Sequence, residues 1–168
     1  MLPKSTAGFN LPELMITLAI LLIFCTIALP AMADFIDRQR ANAYVRQFSQ
    51  HLAYARVAAT SSNLPVQLCP VSGSQCEHQW NLHPIQLSVL QPNNAPPVLL
   101  REIPQVHSKH KLTYHRQALT FRRDGSLNGF ENGTFYYCGK DGSQWHYQLT
   151  LNQAGRNRLT EVSAPCPL

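Results

Sequence analysis

An uncharged run of twenty residues, from Leu14 to Ala33, limits the possible folds more than any other stretch of this sequence. Twenty predominantly apolar residues form a helix that is long enough to cross the hydrocarbon core of a bilayer. The chain has 168 residues, so room remains for one further domain of roughly 100 residues. The sequence therefore predicts one membrane-spanning helix near the N-terminus, followed by one folded domain.

A short segment ending in Gly8 lies a few residues in front of this run, and the acidic Glu13 lies directly before the run begins. Residues 1–8 (MLPKSTAG) contain no long apolar segment, whereas a secretory signal places its apolar region before the cleavage site. A cut after Gly8 would therefore leave the run in the mature chain, with Phe9 as its first residue. Glu13 lies at the edge of the span, where a carboxylate is costly, so it is a candidate functional residue.

The segment G-F-N-L-P-E-L-M-I-T-L-A-I, residues 8–20, resembles the N-terminus of type IV pilins and type II secretion pseudopilins. The resemblance implies that a prepilin peptidase cleaves after Gly8 and that the new N-terminal Phe9 is methylated. It also implies that Glu13 faces the N-terminal ammonium of a neighbouring subunit during filament assembly. The expected location is the inner membrane, with one span and an exported C-terminal domain, and then a surface pilus of a Gram-negative bacterium.

Hydrophobic periodicity separates the helix from a β-rich domain. We predict a cleaved leader at residues 1–8 and a transmembrane, filament-core helix at residues 9–33, with Pro30 expected to kink or locally unwind it. Residues 34–62 continue as an amphipathic helix, because apolar side chains recur at steps of three and four. These side chains are Tyr44 or Val45, Phe48, Leu52, Ala55 and Ala59.

Residues 63–168 are predicted to form a β-rich globular domain, because short apolar runs alternate there with turn residues such as Arg123-Asp-Gly125. The predicted strands are Val66–Cys69, Ile85–Leu90, Val98–Ile103, Lys111–Tyr114, Ala118–Phe121, Thr134–Cys138, Trp145–Leu151 and Arg158–Val162. The fold class is therefore α+β, with a long N-terminal helix packed on a C-terminal antiparallel sheet in a pilin-like arrangement.

Four of the five cysteines lie in the predicted domain, which indicates two disulfides and an oxidising compartment. Four cysteines allow three pairings. We favour Cys69–Cys76, which closes a short loop, and Cys138–Cys166, which fixes the C-terminal segment. A zinc site at Cys69, Cys76 and His78 is the rival interpretation, although no C-x-x-C spacing occurs.

No pattern typical of an enzyme occurs in the sequence, which lacks a Gly-rich phosphate loop, an H-E-x-x-H motif and a nucleophile elbow. Asp124 and Asp141 belong to Asp-Gly turns and are explained by backbone geometry. His107, His110 and His115 have no acidic pattern around them. We predict a non-enzymatic protein without a metal or another cofactor, and an anchored periplasmic enzyme is the least supported alternative.

Basic residues near the C-terminus are the main candidates for ligand binding, although the net charge of +5 favours acidic partners only weakly. In Gly155-Arg156-Asn157-Arg158 the glycine permits a tight turn, and two arginines two residues apart project to the same side of a strand. Two such guanidinium groups can bind phosphate oxygens, although a solvated turn with ordinary surface arginines is the alternative. Five residues would extend the surface if folding brings them close: Arg122, Arg123, Lys140, Lys109 and Lys111.

Several motifs together resemble the FimT branch of the GspH-type minor pilins. They are the pilin-like N-terminus, Leu68-Cys-Pro with Cys76 and Trp80, the Phe121–Gly125 turn, and G-R-x-R at 155–158. In FimT proteins of naturally competent bacteria, the G-R-x-R segment is implicated in binding DNA during uptake. The resemblance therefore implies this role for Gly155, Arg156 and Arg158.

The combined prediction is a minor type IV pilin that binds extracellular double-stranded DNA weakly and without sequence preference, and that supports DNA uptake in natural transformation. Its other expected partners are major and minor pilins, the prepilin peptidase, and the inner membrane before assembly. The alternative is a structural minor pilin or a type II secretion pseudopilin that primes pilus assembly without binding DNA.

Overall fold

The structure, a computed structural model, describes residues 10–73 and 75–167. Gly8 and Phe9, the expected sites of cleavage and N-methylation, lie outside the described residues. The chain forms two compact units, of which the first ends at Arg38 and the second begins at Gln39. One helix, α1 (Leu11–Ser62), contributes residues to both units.

The described part of the first unit is the N-terminal portion of α1. The Asn10 carbonyl accepts the Leu14 N–H at 3.1 Å, and Glu13 lies exposed in the first turn. The helix continues without a break across Pro30, so the local unwinding expected at this proline does not occur. Large apolar side chains of this unit are exposed, and within the described residues α1 is the one helix long and apolar enough to cross a membrane.

The second unit is built around the C-terminal portion of α1. The helical face predicted from the three- and four-residue spacing is buried, and Ala41 extends it by one turn. Its members are Ala41, Val45, Phe48, Leu52, Ala55 and Ala59. The helix ends at Ser62, and the following Asn63 has a φ of 54°, the left-handed conformation that commonly terminates a helix.

Two antiparallel sheets complete the second unit. Their strands are β1 (Val66–Ser72), β2 (Gln75–Cys76), β3 (Ile85–Val89), β4 (Val98–Ile103), β5 (Lys111–Thr113), β6 (Leu119–Phe121), β7 (Gly133–Cys138), β8 (His146–Leu151) and β9 (Asn157–Val162). In the first sheet β6, β1, β3 and β4 lie side by side, and β2 pairs with the end of β1. In the second sheet the order is β5, β7, β8 and β9. Every predicted strand is present, whereas the two-residue β2 was not predicted.

An aromatic cluster forms the centre of the core between α1 and the sheets. Phe48 of α1 meets Phe135 of β7 edge to face, with ring centroids 5.1 Å apart. Trp80 is buried against Phe135 with a centroid distance of 4.9 Å, and its indole N–H donates to the Arg116 carbonyl at 2.7 Å. The predicted α+β fold, with a helix packed on antiparallel sheet, is therefore confirmed.

The two disulfides have the connectivity that the sequence analysis favours. Cys69 pairs with Cys76 across the β1–β2 hairpin, with the Cα atoms 5.5 Å apart. Cys138 at the end of β7 pairs with Cys166, with the Cα atoms 5.7 Å apart, which fixes the segment that follows β9. Because disulfide sulfurs do not serve as thiolate ligands, this pairing removes the zinc interpretation. Among the described residues there is also no group of three or more potential metal ligands.

A buried histidine on α1 makes the stability of the second unit depend on pH. His51 is only 8% exposed, and its Nδ1 has no hydrogen-bond partner among the described residues. Burial lowers the pKa of His51 below its ordinary value of 6.5, and the positive charge of Arg101 on β4 lowers it further. The folded protein therefore keeps His51 neutral at pH values where the unfolded chain already binds a proton.

We expect the unfolding temperature to fall as the pH is lowered from about 7.5 to about 5.5, because protonation of His51 then favours the unfolded state. The contribution of His51 is complete above the unfolded pKa near 6.5 and is lost progressively below it. His51→Gln should reduce the pH dependence, whereas His78→Gln, at an exposed histidine, should leave it unchanged. Thermal unfolding of the three proteins at both pH values measures this, and equal pH dependence in all three would contradict the prediction.

Candidate nucleic-acid interface

A tight turn between β8 and β9 carries the first candidate residues. The Asn152 carbonyl accepts the Gly155 N–H at 2.9 Å, and the Asn152 side-chain oxygen accepts the Arg156 N–H at 2.9 Å. The Asn152 N–H donates in turn to the Arg156 carbonyl at 3.1 Å. Gly155 has a φ of +73°, the left-handed conformation that glycine adopts without steric cost. These bonds position Arg156 immediately before β9 begins.

Arg156 and Arg158 both project away from α1. Between them, Asn157 faces the helix, and its side-chain amide donates to the Ser49 carbonyl at 2.7 Å. Since side chains alternate along a strand, its two neighbours in the sequence point to the opposite face. Arg156 and Arg158 are exposed and line one open groove together with Thr150 of β8. Neither arginine forms an ion pair within residues 10–73 and 75–167.

A second turn, Arg122–Ser126, packs directly against the first. A Cβ atom added to Gly155 would collide with the Gly125 carbonyl oxygen, so the two backbones are as close as they can be. The connection is reinforced by two hydrogen bonds, in which Gln153 O accepts the Leu127 N–H at 2.9 Å and Gln153 Nε2 donates to Leu127 O at 2.7 Å. Folding therefore brings Arg122 and Arg123 beside the turn that carries Arg156.

We call Arg122, Arg123, Arg156 and Arg158 the arginine surface. Its one acidic neighbour in the second turn is Asp124, whose carboxylate accepts the Ser126 N–H at 3.0 Å and the Ser126 hydroxyl at 2.6 Å. These hydrogen bonds, and less strongly the charge of Arg122, lower the pKa of Asp124 below its ordinary range. Asp124 is therefore ionised at neutral pH, and the two turns keep an excess of positive charge.

Arg56 of α1 also belongs to this region, although it is not one of the apolar side chains that define the predicted buried face of the helix. It is half-buried, and its Nε donates to the Gly125 carbonyl oxygen at 3.2 Å. The same side chain lies against Gly125 and Gly155. Arg56 therefore supports the contact between the two turns from the helix. Helical spacing alone could not reveal this, because the partner lies 69 positions further along the chain.

Strand register determines which of the predicted basic residues lie near the arginine surface. Across the second sheet, Thr134 of β7 is opposite Thr150 of β8, which is opposite Arg158 of β9. This row lies at the end of the sheet where β7 begins. Lys111 of β5 is instead opposite Cys138, at the end of the sheet where β7 finishes. The two rows are four residues apart along β7, about 13 Å at the usual rise per residue.

The prediction that Lys109, Lys111 and Lys140 extend the arginine surface is therefore corrected. Lys111 also forms an ion pair with Asp141, with Nζ and Oδ1 3.1 Å apart. Lys109 precedes β5, and Lys140 follows β7, so both lie at the same far end of the sheet as Lys111. The separation arises from the antiparallel register, which the positions of these lysines in the sequence do not reveal.

The second unit contains the part of the chain that matches a known protein family. A family model described as "Type II transport protein GspH" matches residues 44–155, which is about two thirds of the chain and ends just before Arg156. No curated protein matches the chain.

Two crystal forms of the type IV minor pilin FimU from Pseudomonas aeruginosa have a similar fold. The form in space group P21 is 20% identical, with a TM-score of 0.62, and the match covers 79% of this chain and 96% of FimU. The form in space group P65 is also 20% identical, with a TM-score of 0.57, and its match covers 75% of this chain and 96% of FimU.

Proposed function

Because this chain belongs to the GspH family and has the fold of a type IV minor pilin, we propose that it is a minor pilin that binds extracellular DNA through the arginine surface. In this proposal the protein supports DNA uptake during natural transformation. The N-terminal part of α1 anchors it in the inner membrane before assembly and in the filament core afterwards. The arginine surface, on the second unit, contacts the DNA.

The observation that carries the proposal is the backbone contact between the two turns at Gly125 and Gly155. It packs together two turns whose arginines lie 33 or more positions apart in the sequence: Arg122 and Arg123 on one, and Arg156, followed by Arg158, on the other. Guanidinium groups donate hydrogen bonds to phosphate oxygens in a fixed planar geometry, and they remain charged at all relevant pH values. A surface of this kind fits a polyphosphate chain better than it fits a single small anion.

The chemistry of the arginine surface predicts weak binding without sequence preference. Within residues 10–73 and 75–167 no helix projects from this surface to enter a groove of the duplex, and guanidinium groups on turns contact phosphates rather than base edges. Four phosphate contacts correspond to a slope of about −3 to −4 for the logarithm of the affinity against the logarithm of the salt concentration. Several copies of a weak site in one filament would raise the avidity without new contacts.

We expect Arg156→Gln/Arg158→Gln to weaken binding of duplex DNA at least about tenfold at low salt and to lower the salt slope to about −2, since two of four phosphate contacts are removed. The measurement is a fluorescence titration of full-length protein in neutral detergent micelles between about 50 and 200 mM salt. Lys109→Gln/Lys140→Gln is the matched control, because it removes the same charge at the other end of the sheet. If both double variants bind DNA equally well, the arginine surface is not the site.

We further propose that the N-terminal segment directs the processing of the protein and its assembly into the filament. The pilin-like sequence of residues 8–20 supports cleavage after Gly8 by a prepilin peptidase and methylation of Phe9. Glu13 is exposed in the first turn of α1, and in this proposal it meets the N-terminal ammonium of a neighbouring pilin. A carboxylate in this position is costly in the bilayer unless a cation neutralises it, which favours a role in assembly.

A second candidate function is a structural subunit that primes a pilus or a type II secretion filament and does not bind DNA. The description of the matching family, which names type II transport, favours this alternative. The two candidates differ in one measurable quantity. A structural subunit would show no saturable DNA binding at low salt, while its deletion would still abolish piliation or secretion.

A further inference from the structure

An exposed aromatic residue lies in a strained turn beside the arginine surface. Phe130 is 82% exposed, so its ring makes little contact with the rest of the protein. Its φ is +57°, in the left-handed region that a bulky side chain disfavours. Asn63 and Asn93 also have positive φ, but asparagine tolerates this conformation much better than phenylalanine does. The fold therefore accepts strain at Phe130 without gaining buried surface.

The order of residues in this turn shows that turn geometry does not require the strained residue to be aromatic. Asn128 O accepts the Glu131 N–H at 3.2 Å, so Asn128–Glu131 is a β-turn whose third residue is Phe130. A positive φ at the third position normally selects glycine. Here Gly129 occupies the second position, and it does not have the positive φ. Exchanging these roles would relieve the strain, so turn formation does not explain why an aromatic residue occupies position 130.

The turn is held firmly against β6 and does not move as a free loop. Thr120 O accepts the Asn128 N–H at 2.9 Å, and the Thr120 N–H donates to the Glu131 carboxylate at 2.5 Å. The Tyr114 hydroxyl donates to the Glu131 carbonyl. Hydrogen bonds on both sides of Phe130 therefore fix the backbone that presents the ring, which reduces the entropy lost when the ring contacts a ligand.

The turn also borders a cavity that contains part of the arginine surface. The cavity measures about 590 Å³ and is lined by Pro65, Leu90, Thr120, Arg122, Arg123, Asp124 and Asn128. Arg122 lies two residues from Thr120, about 7 Å along the strand, and Thr120 is bonded to both sides of the Phe130 turn. The cavity thus combines cations for a phosphate, a polar amide and the apolar side chains of Pro65 and Leu90, and the turn that carries the exposed Phe130 adjoins it at Asn128.

We propose that Phe130 stacks on an unpaired base of single-stranded DNA whose phosphates are bound by Arg122 and Arg123. An aromatic ring beside a positively charged track is the usual means of holding a single strand, because every base has a face on which a ring can stack. In a duplex the bases are already stacked on each other, so the ring finds a partner only at a single-stranded end or gap. The inference rests on the proposed DNA-binding function and specifies the form of DNA that this part of the site takes.

The test compares two single strands of about 12 nucleotides, one with thymine bases and one abasic, which carry the same phosphates. Full-length protein in neutral detergent micelles is titrated with each strand by fluorescence anisotropy. We expect wild type to bind the thymine strand about five- to tenfold more tightly than the abasic strand. Phe130→Gly should remove this preference and bind the abasic strand as wild type does, whereas Phe130→Trp should retain or increase the preference.

Phe130→Gly also separates the loss of the ring from a loss of structure. Glycine suits the positive φ at this position, so the variant should unfold at the same temperature as wild type or at a higher one. If Phe130→Gly keeps the preference for the thymine strand, the inference is wrong. If it does so while Arg156→Gln/Arg158→Gln weakens binding of both strands, the proposed function stands without the stacking residue. If wild type binds duplex DNA but neither single strand, the stacking site is wrong and the proposed function stands. If wild type binds no DNA of either form, both fail.

Discussion

Replacing Gly155 with alanine is expected to destabilise the second unit by about 3 kcal/mol, in two parts. An L-residue in the left-handed conformation at a φ of +73° costs roughly 1–2 kcal/mol. The added Cβ would also collide with the Gly125 carbonyl oxygen and press on the Phe121 ring, and such overpacking typically costs 1–3 kcal/mol. Because both turns have to move apart, the variant should also bind DNA more weakly than wild type although no charge has changed.

Gly142 provides the matched control for this prediction. It also has a positive φ, of +85°, but nothing lies within 4 Å of the Cβ that alanine would add. Gly142→Ala should therefore lower the free energy of unfolding only by the conformational cost, about 1–2 kcal/mol. Its DNA affinity should equal that of wild type. Thermal and denaturant unfolding of both variants measures the difference. Equal destabilisation of the two would mean that the contact between Gly155 and Gly125 contributes nothing.

Replacing Phe48 with alanine is expected to lower the free energy of unfolding by about 3–5 kcal/mol, the usual loss when a large buried ring is removed. Phe48 is 1% exposed and packs on Phe135 and Tyr44, so the surrounding side chains cannot close the cavity without moving α1 or β7. Alanine has a higher helix propensity than phenylalanine, so the whole loss arises from packing.

The same substitution at an exposed position provides the control. Phe130→Ala should change the free energy of unfolding by less than about 0.5 kcal/mol, since the ring is 82% exposed. Chemical denaturation of the two variants beside wild type gives both values. A loss at Phe48 no larger than the loss at Phe130 would show that the helix is not packed on the sheet in the way described.

Local patterns predicted most of the fold. The buried face of α1 follows from apolar side chains at steps of three and four, because these positions lie on one side of a helix. The strands followed from short apolar runs bounded by Asp-Gly and Asn-Gly turns. The two-residue β2 was missed, since two residues carry no periodicity. At Pro30 the helix continues without a break, so of the two effects expected there, a kink or local unwinding, the unwinding does not occur.

The candidate site could be predicted only in part. Arg156 and Arg158 share a motif, so their common direction follows from strand alternation. The approach of Gly125 to Gly155 depends instead on how two distant turns pack, and no spacing in the sequence encodes it. The position of Lys111 was equally unpredictable, because strand register alone places it far from Arg158. Register depends on which strands pair and in what alignment, and composition does not determine it.

The path of β9 has a practical consequence for experiments. The strand begins at Asn157, beside the arginines, and ends at Val162, and the segment after it is held to β7 by Cys138–Cys166. Ser163 is exposed and lies five residues beyond Arg158, about 17 Å away along the strand. A fluorophore or surface tether attached there would report on DNA capture without standing in its way, and it would leave the turn at Gly155 untouched.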